Sequence, residues 1–359
     1  MTGKRSKRAL ADARKETGVE RSQREIDPAK IKRKLRGEGS SVLELCDIFD
    51  ATPSRVRESL RQLRERGVML GRNGDHFFLS SVPKGPSPHV LESTPDGFYR
   101  VGLISDTHLG STACRYDVLE DAYDWFAAEG ITHVYGAGNW IEGIDKGRIG
   151  YAELEPGCAT WDGQMRNFLE RYPQRDGVTS YWVSGADHEG WLQKKEGIDV
   201  GRWMEDSAKQ AGREDLVSLG YAQAFIRLQR HGKPRSSAKM LIQHPGGGSS
   251  YAYSYAPQKR IESAQPGEKP AVWVFGHWHK SGYFNARGVH AILCPSTKDQ
   301  DVFHMQKGLD SHVGCIILEM RQDERGAIYE VTPRIRRHFD RGYYNHQYEL
   351  PSGAKKERA

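Results

Sequence analysis

Cysteine is scarce in this 359-residue chain: five residues, at Cys46, Cys114, Cys158, Cys294 and Cys315, odd in number and without a paired spacing. That excludes a disulfide scaffold and a cysteine-type zinc site, and it fits a reducing compartment. No apolar run approaches the roughly 18–20 residues needed to cross a bilayer, so no membrane-spanning helix is expected. The opening residues, MTGKRSKRALADARKE, lack the apolar stretch of a secretory signal. A cytoplasmic protein is expected. Acidic side chains are short in one place only. Residues 1–36 hold thirteen Lys or Arg against five Asp or Glu, a local excess of +8 in a chain of net charge +6. The remainder therefore sums to −2, and the basic character belongs to the leader. Such an arm attracts polyanions through counterion release, although a solvated disordered tail has the same composition.

What is present is globular, with 37% hydrophobic and 28% charged residues. Asp27 and Pro28 predict an N-cap and first helical position, with Ile31 and Leu35 on one face. Ser41 and Glu44 match a capping box, opening a helix with Val42, Leu45, Cys46 and Phe49 at helical spacing. Thr52-Pro53 starts a third helix, with Val56, Leu60 and Leu63 inward and Arg57, Arg61 and Arg64 on the opposite face. Val68 to Leu70 and His76 to Leu79 flank Arg72-Asn73-Gly74, a hairpin signal. This succession over residues 28–80 resembles a winged helix-turn-helix domain. The resemblance implies that the three arginines meet DNA phosphates and base edges. Arginines on an exposed helix face are otherwise simply solvated, and winged helices also mediate protein contacts. Residues 1–27 read as a basic disordered arm, 81–97 as a linker rich in Pro, Ser and Gly, and 346–359 as a polar tail.

From Phe98 onward, short apolar strands alternate with amphipathic segments, the pattern of an α/β or α+β sandwich. Strands are predicted at Tyr99–Ser105, Thr132–Tyr135, Ser180–Val183, Lys239–Gln243, Ala271–Phe275, Ala291–Cys294 and Gly314–Glu319. Helices are predicted at Tyr116–Ala128, Asp162–Arg171 and Val200–Gln210. Five of these strands are followed by oxygen or imidazole donors. The segments are Asp106-Thr107-His108, Gly138-Asn139-Trp140-Ile141-Glu142 and Gly185-Ala186-Asp187-His188-Glu189, then His244 in a glycine-rich loop, then Gly276-His277-Trp278-His279. Strand ends are where α/β folds assemble their sites. Singly each segment is weak, since a histidine after a strand is usually a hydrogen-bonded boundary residue.

Together, and in this order, they resemble the calcineurin-like metallophosphoesterase family across residues 98–345. That family's pattern runs Asp-x-His, Gly-Asp, Gly-Asn-His-(Asp/Glu), His, Gly-His-x-His. The resemblance implies two divalent cations, because phosphate-ester hydrolysis needs neutralised phosphoryl oxygens and a hydroxide at neutral pH. Mixed carboxylate and imidazole shells suit manganese first, with iron or zinc as alternatives. The resemblance further implies that Asp106, His108 and His279 hold one cation, that Asp187, His244 and His277 hold the other, and that position 139 bridges them. His188 takes the place of the general acid that protonates the leaving oxygen, with Glu189 orienting its imidazole. Two positions depart from the pattern: Asn139 stands where the family has Asp, and Asp187 where it has Asn. An amide offers one neutral oxygen and bridges two cations poorly. The exchange still leaves two carboxylates, Asp106 and Asp187, among the donors. A natural variant, a deliberate inactivating change and a lost activity are the three explanations.

A nuclease gains local substrate concentration from a tethered second site, whereas small phosphoesters need none. The combined resemblance therefore implies a metal-dependent DNA phosphodiesterase. Its catalytic scaffold is similar to the nuclease subunits of double-strand-break repair complexes and to phage or prophage proteins of this architecture. The alternatives are a hydrolase of phosphoproteins or small phosphoesters, and a catalytically silent DNA-binding regulator. A homodimer or another protein partner is compatible with the sequence. Tyr251, Tyr253 and Tyr255 alternate beyond the glycine-rich loop near Lys259 and Arg260. Core packing is their expected role, and stacking of unpaired bases is the functional alternative. Trp140 and Trp278 either wall the pocket or pack in the core. The segment holding Asp299, Asp301 and Lys307 is a further candidate for substrate contact.

Overall fold

The computed structural model describes residues 26–35, 39–65, 68, 70–73, 75–79, 89–145, 150–248, 250–265 and 267–339. They fall into two compact units, with the division at residues 87 and 88. The expected basic arm over 1–25 and the tail over 346–359 lie outside the described residues. Ile26 is buried and Asp27 caps a helix, so the last two positions assigned to the arm belong to the first unit.

In that unit three helices and three short strands enclose one small core. Asp27 accepts the Ala29 N–H at 2.9 Å and Pro28 opens helix α1 (Pro28–Lys34). Strand β1 (Ser40–Ser41) runs into α2 (Val42–Phe49), where both bonds of the capping box form: Glu44 N–H to Ser41 Oγ at 3.1 Å and Ser41 N–H to Glu44 Oε2 at 2.8 Å. Asp50, left-handed at φ 46°, ends α2 and turns the chain into α3 (Pro53–Glu65). Ile31, Leu35, Val42, Leu45, Val56, Leu60, Leu63 and Phe77 form the core. The hairpin comprises β2 (Leu70–Asn73) and β3 (His76–Leu79), in sheet order β1-β3-β2. Asn73 pairs with His76, so β2 starts and ends later than the sequence suggests. Gly74 lies outside the described residues.

The second unit is a sandwich of two six-stranded sheets. The first sheet contains β5 (Phe98–Ile104), β6 (His133–Gly136), β7 (Thr179–Ser184), β8 (Leu216–Tyr221), β14 (Val313–Gln322) and β15 (Ile328–His338), in the order β15-β14-β5-β6-β7-β8. Its β5-β6-β7-β8 run is parallel. The second sheet contains β4 (His89–Glu92), β9 (Gln223–Arg230), β10 (Lys233–Gln243), β11 (Val272–Phe275), β12 (Gly282–Ala286) and β13 (Val289–Leu293), in the order β12-β13-β11-β10-β9-β4.

Alternation along each strand sorts side chains into layers. Tyr99, Val101 and Leu103 of β5 meet Val272 and Val274 of β11 and Ile316 and Leu318 of β14 between the sheets. Ile104, Val134 and Trp182 point the other way, against α4 (Tyr116–Ala128), α5 (Trp161–Arg171), α6 (Gly190–Glu196) and α7 (Val200–Gln210). Trp273 and Phe275 of β11 pack on the opposite outer face with Ile261 of α8 (Tyr255–Ser263). The mixed α/β sandwich expected from the sequence is the fold observed. One segment differs. Residues 89–92, assigned to the linker 81–97, instead form β4, paired in parallel with β9, because Leu91 inserts into the inter-sheet core. Among the described residues, no helix is long and apolar enough to cross a membrane.

Candidate metal centre

The parallel runs β5-β6-β7 and β10-β11 end at one edge of the sandwich, and each end carries donors. A short turn follows each strand. Asp106, His108, Asn139, His188, His277 and His279 all have left-handed φ between 49° and 75°, six of the nine such non-glycine residues among those described. Left-handed torsions cost free energy for residues with a Cβ, so their concentration here marks a site the surrounding structure enforces. Main-chain bonds lace the turns together: Asp106 N–H to Gly138 O at 2.9 Å and His108 N–H to Asn139 O at 3.0 Å. Gly276 is required by close approach, since a Cβ there would lie 2.9 Å from Asp106 Oδ2.

Among the described residues the donors gather into three trios: two have the membership implied by the family resemblance, and the third, His108, Glu142 and His188, shares His108 with the first. Asp106, His108 and His279 form the inner trio, all of them buried. Asp187, His244 and His277 form the outer trio, with Asp187 and His277 side chains 22% and 18% exposed. In the inner trio His108 Nδ1 donates to Glu142 Oε2 at 2.8 Å, which turns His108 Nε2 toward His279 Nε2, 3.2 Å away. In the outer trio His244 Nδ1 donates to Ala137 O at 2.7 Å and His277 Nε2 donates to Gly247 O at 2.7 Å. Their other nitrogens, His244 Nε2 and His277 Nδ1, face each other at 3.2 Å, with Asp187 Oδ1 2.9 Å from the former. Two nitrogens bound to one cation at about 2.0–2.1 Å sit roughly 3.3 Å apart. Both pairs therefore have the separation a shared cation requires, and the donor set fits a divalent transition metal.

The electrostatics agree. Burial pushes the Asp106 carboxyl up, and it drives the His108 and His279 imidazoles well below their ordinary value. The inner trio is thus ready to present neutral imidazoles. Burial also works against charge at Asp187, but hydrogen bonds from His244 and His277 hold its carboxyl well below the usual range. Burial likewise lowers the His244 imidazole, yet Asp187 and Asp106 outweigh it and push it up to about 9. Without a cation, His244 and Asp187 form a charged pair in the outer position.

Asn139 lies beside both sets. Its Oδ1 is buried and has no hydrogen-bond partner among the described residues. A Cβ at Gly185 would collide with that oxygen. A buried acceptor without a partner is one that an incoming cation would satisfy. Glu189 was expected to orient His188, and the structure corrects this. Glu189 Oε1 instead accepts the Asn139 N–H at 2.9 Å and the Gly185 N–H at 2.5 Å, tying the turns after β6 and β7 together. Its full burial pushes its carboxyl up to about 7. His188 Nδ1 donates to the Glu142 carbonyl at 2.6 Å, and its ring stacks on Trp191 at 4.8 Å. Since a carbonyl only accepts, the proton is on Nδ1 and Nε2 is the exchangeable atom.

Other expectations sort themselves by burial. Trp140 is a core residue, packed among the rings of Phe168, Tyr172 and Trp182. Trp278 packs against the outer cluster beside Phe275. The tyrosines expected in the core are on the surface: Tyr251, Tyr253 and Tyr255 are 104%, 46% and 54% exposed. Tyr253 lies over Lys280 Nζ at 5.0 Å, and Tyr255 over Lys259 Nζ at 5.5 Å. Asp299 is buried against Arg115 at 3.0 Å and is structural. In the first unit Arg57, Arg61 and Arg64 are exposed, but Arg61 is paired with Glu58 at 2.6 Å and Glu65 at 3.2 Å. Sequence reasoning gave no role to Lys298, Asp301 or His304 in supporting the trios. These residues lie behind the inner trio, and the only signal was a run of polar residues after β13.

With fold and site in view, the protein is an α/β sandwich bearing two carboxylate–imidazole trios at converging strand ends. No family model matches the chain, and no curated protein matches it. Among solved structures it is similar to an archaeal phosphodiesterase, at 13% identity over 66% of this chain and 100% of that one, with a TM-score of 0.35. A predicted phosphoesterase of Streptococcus pneumoniae gives 14% identity over 67% and 98%, with a TM-score of 0.29. The zinc complex of Vps29 from Entamoeba histolytica gives 13% identity over 67% and 99%, also at 0.29.

Proposed function

We propose that this chain is a calcineurin-like metallophosphoesterase that cleaves phosphodiester bonds in DNA. The observation that carries this is the pair of trios with nitrogens facing each other at 3.2 Å. When bound, two divalent cations neutralise phosphoryl oxygens and make a hydroxide available at neutral pH. The chain's own residues do the rest. Asp106, His108 and His279, and Asp187, His244 and His277, hold the cations. His188, with Nδ1 fixed on the Glu142 carbonyl, carries the proton for the leaving oxygen at Nε2.

DNA is favoured as substrate by two features. The helices and hairpin of the first unit have the order of a winged helix-turn-helix, with Arg57 and Arg64 exposed on α3. Exposed tyrosines beside lysines, Tyr253 in the loop that leaves His244 and Tyr255 at the start of α8, suit stacking on unpaired bases. One observation favours a second reading, a silent DNA-binding regulator: Asn139 puts a neutral amide where a bridging carboxylate is expected. Manganese-dependent cleavage of labelled single- and double-stranded DNA, beside an aryl phosphodiester and an aryl monoester, decides among these. Cleavage of DNA and diester is expected. Monoester turnover with intact DNA would discard the nuclease. DNA affinity that survives chelation, with no hydrolysis in the wild type or in Asn139→Asp, would establish the regulator.

A further inference from the structure

Behind the inner trio lies a buried chain of alternating charge that the proposed chemistry does not use. Glu142, which fixes His108, is itself held by Lys298: Nζ lies 2.9 Å from Glu142 Oε1 and 3.0 Å from Oε2. The same ammonium lies 2.8 Å from Asp301 Oδ2. Asp301 Oδ1 in turn accepts from His304 Nδ1 at 2.6 Å, and the His304 ring packs on that of His279 at 4.9 Å. One lysine thus reaches His108 through the Glu142 carboxylate, while on its other side the Asp301–His304 arm meets His279 by ring packing alone, the His279 Nδ1 having no hydrogen-bond partner among the described residues. Its side chain is 2% exposed, so its charge is compensated by those two partners rather than by water. The main chain around it is pinned as well. Lys298 N–H donates to Ser296 Oγ at 2.9 Å, Ser311 Oγ donates to the Lys298 carbonyl at 2.7 Å, and Ser296 Oγ donates to the Asp106 carbonyl at 2.7 Å.

The outer trio has nothing comparable: His244 and His277 rest on the carbonyls of Ala137 and Gly247. A carboxylate behind a ligating imidazole fixes its tautomer and raises its donor strength, and a cation behind that carboxylate fixes the carboxylate. We infer that Lys298 is the positioning residue of the inner cation position, holding His108 through Glu142, with the Asp301–His304 arm it also anchors packed against the His279 ring. This rests on the metallophosphoesterase reading, since it assumes that the inner trio takes a cation.

The test counts cations rather than turnover. Full-length protein is stripped with chelator and titrated with Mn2+, and bound equivalents and affinities are read by equilibrium dialysis with electron paramagnetic resonance. A His277→Ala background identifies the inner equivalent. Wild type is expected to take two equivalents. Lys298→Met is expected to keep the outer one unchanged and to bind the inner one about 10–100-fold more weakly. Glu142→Gln, which keeps shape and an acceptor, gives the same selective loss and serves if Lys298→Met does not fold. The double variant Glu142→Gln/Lys298→Met removes both buried charges, so it should fold more stably than Lys298→Met while its inner affinity stays low. Unchanged affinities in the single variants, equal weakening of both equivalents, or recovery of inner affinity in the double variant each overturn the role of Lys298. Wild type that takes up no Mn2+ overturns the metallophosphoesterase reading itself, and the lysine's role with it.

Discussion

The inner and outer trios use the same chemistry, one carboxylate and two imidazoles, in opposite settings. Inner donors are all buried and His108 is backed by the Glu142 carboxylate, whereas in the outer trio Asp187 and His277 stand partly in solvent and the buried His244, like His277, rests on a main-chain carbonyl. A ligand backed by a charge network is costly to disturb, because losing one partner leaves another buried charge unpaired. A ligand at the solvent edge can be replaced by water. The difference teaches that, under the proposed function, disturbance of the inner trio should cost more than disturbance of the outer one.

The comparison breaks first, and with the largest effect, by deletion. Asp106→Ala should abolish inner cation uptake and lower aryl diester hydrolysis by about a thousandfold or more, the several kcal/mol that a catalytic cation supplies. His277→Ala should cost about 10–100-fold, rescued in part by excess Mn2+. Equal losses would erase the distinction. Next, Asn139→Asp should raise diester turnover by about a hundredfold, since it places a shared carboxylate beside both trios; parallel steady-state assays read this directly. No change would mean that Asp187 already supplies what the bridge needs.

Acidity sharpens the contrast on the outer side. His244 is held at about 9 in the cation-free fold, above its ordinary 6.5, so the folded chain binds a proton there that the unfolded chain releases. Its stabilisation is fully present below pH 6.5 and is lost as pH rises through 9. Glu189, raised from 4.5 to about 7, works in the same direction between those values. Above about pH 6.5 the melting temperature in chelator should therefore fall as pH rises to 9, whereas below pH 6.5 the His108 and His279 imidazoles, held well below their ordinary value by burial, work in the opposite direction. Saturating Mn2+, which displaces the His244 proton, should make stability rise with pH across the upper part of that range. Identical profiles with and without the metal would remove His244 from the cation site.

The smallest effect belongs to the first unit. Arg57→Ala with Arg64→Ala should weaken DNA binding and reduce its salt slope by about 0.9 for each phosphate no longer neutralised, with aryl diester hydrolysis untouched. Arg61→Ala should do less, because Glu58 and Glu65 already neutralise it. A slope unaltered by all three would move the electrostatics to other residues.

Much of this was legible locally. The predicted helices Tyr116–Ala128 and Val200–Gln210 have the observed bounds, because caps and apolar spacing act within a few residues. The donor segments were legible as short motifs after strands, while their division into two trios came from the resemblance to a known family rather than from spacing. What stayed hidden depends on distance in sequence. Lys298 and Glu142 are separated by 156 residues, and nothing near either announces the other. Glu189 was misread because neighbouring His188 made an obvious partner, while its real partners are amides of Asn139 and Gly185. The tyrosines after His244 alternate as a strand would, but no strand forms there to bury them. β4 was missed because its four residues follow a stretch rich in proline and serine.

The left-handed turns carry a consequence for which amino acids can serve at these positions. Cysteine and glutamate bind metals well, but the side chains that combine donor atoms with tolerance of that torsion are aspartate, asparagine and histidine. The backbone therefore limits the donor alphabet to three letters before any metal is chosen. Asparagine at position 139, with φ 54°, is the letter that leaves the turn undisturbed while changing the charge.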